Sequence, residues 1–94
     1  MGQSIMSNDR KCYVCGYTQG IHKHHIFFGT ANRKISEQEG CWCYLCMRHH
    51  NGSNDGVHFN NDLNLKLKRE CQERWEHERG SRVEFILKFG KSYL

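Results

Sequence analysis

The run Cys41-Trp42-Cys43-Tyr44-Leu45-Cys46-Met47-Arg48-His49-His50 decides the fold. Its first half, Cys41 to Leu45, is aromatic and apolar enough for a largely covered β-strand, which Cys46 ends. Cys46 and His49 then straddle the turn into the next element at C-x-x-H spacing, where two side chains converge readily on one ion. Upstream, Cys12-Tyr13-Val14-Cys15-Gly16 reads as a knuckle, a tight turn whose glycine lets backbone amides face the sulfurs. Two such pairs, far apart in sequence, pin the knuckle to the strand's end, and Cys12, Cys15, Cys46 and His49 suit a structural, tetrahedral zinc ion. Cys43-x-x-Cys46 is the rival second pair and would make an all-cysteine site. Strand geometry favours His49, because Cys43 sits before the end of the extended segment. Cys41, Cys43 and Cys71 then read as packing residues.

Outward from this run, Ile21 to Phe28 is rich in β-branched and aromatic residues and reads as the first strand of a long hairpin. The polar segment Gly29 to Gly40, with the basic pair Arg33-Lys34, is expected as the hairpin's loop. Asn51 to Gly56 is loop chemistry, since Gly and Asn tolerate left-handed conformations. Beyond it Leu63, Leu67, Cys71 and Trp75 recur every four residues, placing one apolar stripe on a long helix that Gly80 ends. Ser81-Arg82-Val83-Glu84 fits a capping box, and Phe85, Ile86 and Phe89 give a second helix its apolar face before Gly90 stops it. Residues 1–10 are polar and are expected as a flexible arm, with 11–94 as a single domain. The expected class is small α+β: a zinc knuckle, a hairpin, a metal loop and two C-terminal helices.

A chain of 94 residues with 37% apolar content has a thin core. A domain of this size hides only about 60% of its unfolded surface. Six cysteines and seven histidines supply what the core lacks, since a bound metal contributes folding free energy directly. No stretch approaches the roughly 20 apolar residues of a membrane span, and the first thirty residues hold no apolar secretion signal, so a cytoplasmic setting is expected. In a reducing cytosol, cysteines at C-x-x-C spacing serve as metal ligands rather than disulfide partners. Fourteen Lys and Arg against ten Asp and Glu leave a net charge of +4, a modest tilt toward a polyanionic partner.

The histidines cluster as His22-Lys23-His24-His25, His49-His50 and His58. Adjacent pairs near the ends of two strands, with a further histidine across a glycine loop, point to a second metal site. Neighbouring strand residues face opposite ways, so His24 and His25 should have separate tasks. The plainer reading is that these imidazoles extend the zinc site or cap loops.

Taken together, Cys12-x-x-Cys15-Gly16, His24-His25-Ile26, Leu45-Cys46-x-x-His49-His50-Asn51 and Val57-His58 resemble the HNH endonucleases, the zinc-stapled branch of the ββα-metal (His-Me finger) nucleases. His22-Lys23-His24-His25-Ile26-Phe27-Phe28-Gly29 and Phe89-Gly90-Lys91-Ser92-Tyr93-Leu94 are similar to stretches of small HNH-like proteins in phage and prophage genomes. The resemblance implies a ββα-metal hairpin and a general base at His25. It also implies a divalent cation, whether Mg, Mn, Ni or Zn, held by His24, His50 and His58 against the scissile phosphate. The family's middle asparagine, which braces the loop around the base, should fall near Cys41, where no asparagine stands; Asn32 is the candidate substitute. DNA is the implied partner, contacted mainly through its backbone, with Lys23, Arg33, Lys34 and Lys66 as candidate phosphate contacts. The resemblance leaves open whether the chain acts alone or as a homodimer making paired nicks. The competing expectation is a noncatalytic zinc module that binds DNA or a protein, and a redox role for Cys12-x-x-Cys15 comes third.

Overall fold

The computed structural model describes residues 3–50, 56–57 and 60–94. The chain is a small α+β fold with the element order β1 (Ile21–His25), α1 (Thr30–Glu39), β2 (Trp42–Cys46), α2 (Met47–His50), α3 (Asn61–Glu78) and α4 (Arg82–Phe89). The two strands pair antiparallel, with His22 opposite Leu45, His24 opposite Cys43 and His25 opposite Trp42. Opposed residues share a face in such a ladder. His22, His24, Cys43 and Leu45 therefore lie on one side, and Lys23, His25, Trp42 and Tyr44 on the other. Both faces are covered along β2, where Trp42, Cys43, Leu45 and Cys46 are all buried.

The segment from Gly29 to Gly40, expected as a loop, is instead built around helix α1. Its apolar content is too sparse to show a stripe: Ile35 is the one large apolar residue between Thr30 and Glu39. What fixes the helix is polar. Ser36 is fully buried, donates to the Phe27 carbonyl at 2.7 Å and accepts from the Phe27 amide at 3.2 Å. Gly40 closes the helix in the left-handed conformation with φ 74°. A Cβ there would meet the Gln3 carbonyl oxygen at 2.5 Å, so glycine is required twice over. Because α1 begins so early, β1 ends at His25 rather than Phe28, and Ile26 and Phe27 turn into the core as β1 hands over to α1.

The polar first ten residues do not fray throughout. Ser4 and Met6 are buried, the Ile5 amide donates to Gly40 O at 2.9 Å, and the Ser4 hydroxyl bonds the Trp42 carbonyl. Arg74 of α3 donates to the Met6 carbonyl at 2.6 Å. This edge of the sheet is thereby supplied with partners, which the composition of the segment gave no means to foresee.

Helix α3 follows the four-residue rhythm: Leu67, Cys71 and Trp75 are buried and Leu63 is half-buried. Asn60 caps it, accepting from the Leu63 amide at 3.1 Å. Helix α4 carries the expected capping box in both directions between Ser81 and Glu84, and Gly90 closes it with φ 96°. Phe85 and Phe89 are buried, whereas Ile86, expected on the same face, is 38% exposed. The core between α3, α4 and the strand end is aromatic, with Phe27 centred 5.3 Å from Phe85 and 4.6 Å from Phe89, and Trp75 5.5 Å from Phe85. Glu39, at the end of α1, accepts from Trp75 Nε1 at 3.0 Å and faces Arg79 and Lys88, so one carboxylate joins three helices. Among the described residues, no helix is long and apolar enough to cross a membrane.

Candidate functional site

The knuckle from Cys12 to Gly16 is closed by a hydrogen bond from the Gly16 amide to Cys12 O at 2.8 Å and is docked on the sheet through the Tyr13 amide to Tyr44 O. Helix α2, a single turn, begins directly after Cys46 and swings His49 back over it. The ligand atoms of Cys12, Cys15, Cys46 and His49 consequently all lie within 4.8 Å of one another.

Their spacing tests the donor set. With zinc–sulfur bonds near 2.3 Å and zinc–nitrogen bonds near 2.05 Å, a tetrahedron has sulfur–sulfur edges of about 3.8 Å and sulfur–nitrogen edges of about 3.6 Å. Cys15 Sγ lies 3.8 Å from Cys46 Sγ, and His49 Nδ1 lies 3.6 Å from Cys12 Sγ and 3.3 Å from Cys46 Sγ. The four residues fit a structural ion such as zinc. Electrostatics agree at Cys12. Burial raises its thiol, but the backbone amides of Cys46, Cys15 and Val14, with the Cys15 side chain, outweigh burial and bring it down to about 6. Cys43, the rival ligand, stands outside the group; burial, reinforced by the charges of Cys12 and Glu70, pushes its thiol up to about 12. Cys41 and Cys71 are fully buried, and Cys71 is raised first by its hydrogen bond with Cys41 and then by burial.

Past His49, the same helical turn presents His50 to the face of β1 that carries His22 and His24. The His24 and His50 ring centroids are 5.3 Å apart, and His22 Nδ1 lies 3.3 Å from His50 Nδ1. His24 is 2% exposed. Strand alternation sends His25 the other way, where its Nε2 lies 2.7 Å from Glu37 Oε1. That carboxylate also holds the Lys23 ammonium at 3.3 Å. The hydrogen bond from His25 lowers the Glu37 carboxyl below its usual range, against the opposing effect of burial and with Lys23 assisting.

At the end of β1 the two faces meet in a cleft of about 270 Å³ lined by Lys23, His24, His25, Phe28, Arg33 and His50. A neighbouring hollow gathers His25, Arg33, Lys34 and Glu37. Of the candidate phosphate contacts, Lys23, Arg33 and Lys34 thus border the histidines. Lys66 lies elsewhere, beside Tyr13, Val14, Leu63, Leu67 and Glu70. His58 and the loop residues Asn51 to Asp55 fall outside the described residues. Asn32, the candidate brace, instead donates to the Phe89 carbonyl at 3.4 Å.

Sequence reasoning missed Glu37 as a partner of His25 and His22 as a partner of His50. Glu37 was legible only by way of a helix: once residues 30–39 wind, Arg33, Lys34 and Glu37 fall at positions i, i+1 and i+4 on one face. His22 and His24 share a strand face by their spacing of two, which already placed both imidazoles on one side. No protein-family model, no curated protein and no solved structure matches this chain.

Proposed function

We propose that the chain is a metal-dependent endonuclease of the HNH type that hydrolyses phosphodiester bonds in DNA. The observation that carries the reading is the division of labour at the end of β1: His24 meets His50 on one face, while His25 on the other is held by a carboxylate, and all three line one cationic cleft.

Hydrolysis needs a water that loses its proton near neutral pH, and an imidazole, with an ordinary pKa of about 6.5, suits that task. His25 is the base. When His25 Nε2 carries its proton and donates to Glu37, Nδ1 becomes the acceptor, so the carboxylate selects the tautomer and fixes the ring plane. In the family's asparagine role, then, this chain employs Glu37. His24 and His50, with His58, would hold the divalent cation, and His22 steadies His50. Such a cation, when bound, offsets charge growing on a scissile-phosphate oxygen and on the departing 3′ oxygen. Three imidazoles suit Mn, Ni or Zn by softness, and Mg belongs among the ions to test. Arg33 and Lys34 supply positive charge for the flanking phosphates.

A nicking assay on supercoiled plasmid, with Mg, Mn, Ni and Zn in turn, tests the reading. Nicking is expected with at least one ion, abolished by chelator and by His25→Ala in a protein that keeps its fold and its zinc. A folded, zinc-loaded wild type that nicks with none of them, yet binds DNA or a protein, would establish the zinc-module reading instead.

A further inference from the structure

Phe28 forms one edge of the imidazole cleft, and it also begins a series that leads away from it. Its ring centroid lies 6.1 Å from that of His24. The Lys68 ammonium sits 4.4 Å from the Phe28 centroid and 5.1 Å from that of Tyr93, and the Lys91 ammonium lies 5.0 Å from the same Tyr93 ring. Cation, ring and cation thus continue from the histidines across α3 to the last residues of the chain.

Residues 91–94 lie past the Gly90 cap of α4. Here Gln72, fully buried on α3, anchors them: Oε1 accepts from the Tyr93 amide at 2.7 Å, and Nε2 donates to Ser92 Oγ at 3.0 Å and to Glu76 Oε2 at 2.8 Å. A buried amide spent on the tail fixes where Tyr93 and Lys91 stand. Glu37 faces Lys23, Glu39 faces Arg79 and Lys88, and Glu76 faces Arg82, whereas Arg33 and Lys34 beside the cleft have no such partner among the described residues. Among the described residues, neither Lys68 nor Lys91 has a carboxylate within ion-pair distance. Burial, and then the neighbouring Lys91 charge, keep the Lys68 ammonium below its ordinary range. Two like charges gathered on one ring, without a counter-charge, favour the arrival of an anion.

We infer that Phe28, Lys68, Tyr93 and Lys91 form a track for the phosphodiester backbone of a nucleic-acid strand, running from the imidazole cleft to the C-terminus. The link to a scissile bond rests on the nuclease reading; the binding of backbone phosphates does not.

The test measures binding of zinc-loaded His25→Ala protein to a fluorescein-labelled 20-base-pair duplex and to the matching single strand, between about 50 and 200 mM salt. Adding Lys68→Gln and Lys91→Gln is expected to weaken binding. It should also flatten the slope of log K against log salt by about 1.8 on the duplex and about 1.4 on the single strand, the release expected for two lost phosphate contacts. Lys68→Arg with Lys91→Arg should restore both. Unchanged affinity and slope in the glutamine pair would overturn the track. So would an equal loss in the arginine pair, which would assign the effect to packing of the tail, and so would a parent protein that binds neither probe. If wild type fails to nick while the glutamine pair loses slope and the arginine pair regains it, the nuclease reading falls and the track stands.

Discussion

Glu37 Oε1 and His25 Nε2 lie 2.7 Å apart, a contact that joins the last turn of α1 to the last residue of β1. Glu37→Gln keeps the shape but removes the charge and the demand for a proton on Nε2. Under the nuclease reading, because general-base catalysis contributes about 10²–10⁴-fold, loss of the correct tautomer should lower kcat about 10–100-fold, with KM little changed. Steady-state nicking rates check this, and a parallel fall in zinc content or melting temperature would show that the carboxylate merely holds the fold.

Removal of any one zinc ligand should cost the fold rather than the chemistry alone. Cys12→Ala and Cys46→Ala are expected to lose bound zinc and cooperative melting, because an ion held by this group would join the knuckle, β2 and α2 in a domain with a thin core. Cys43→Ala removes a buried thiol that is not a ligand; it should retain one zinc per chain and cost about 1 kcal/mol. Elemental analysis after dialysis separates the two outcomes.

Stability should decline in alkali. Tyr13 is pushed up to about 12 by burial and by its hydrogen bond to Glu70, and Cys43 is pushed up to about 12 mainly by burial. Both groups stay protonated in the folded chain while the unfolded chain ionises from about pH 9 upward. Since the unfolded state then binds fewer protons, the stabilisation is complete below pH 9 and is lost as pH rises toward 12. Urea midpoints of the zinc-loaded protein should rise from pH 7 to about 8.5, where the ligand thiols of the unfolded chain still bind protons that zinc-bound thiolates do not, and fall beyond, and Tyr13→Phe should make that fall shallower.

Helix α4 depends on its N-cap, Ser81. Ser81→Ala deletes the acceptor of the Glu84 amide and should cost about 1 kcal/mol. For a chain of this length that is a fall of about 4–8 °C in Tm. Thermal melting followed by circular dichroism measures it; no shift would mean that the reciprocal bond from the Ser81 amide to the Glu84 carboxylate suffices.

Much of the fold could be read from residue spacing. The Leu63, Leu67, Cys71, Trp75 rhythm and the Ser81–Glu84 box each act over one or two helical turns, so they declared themselves locally. The four residues whose ligand atoms converge were legible because metal geometry restricts which residue types recur at which intervals. Helix α1 was not, because Ser36 holds it through bonds to Phe27, and a serine in a polar run carries no periodic signal. Glu37 was hidden for the same reason, its value depending on a helix that the apolar pattern did not announce. The separate orientations of His24 and His25, by contrast, followed from strand alternation alone.

Helix α2 is four residues long, and it gives His49 to the thiolates and His50 to the imidazoles of β1. Under the nuclease reading, the two centres therefore share a hinge pin. An oxidant that turns Cys15, the exposed ligand, into a sulfenic acid would unseat His49, carry His50 with it and silence hydrolysis while every catalytic imidazole remained chemically intact.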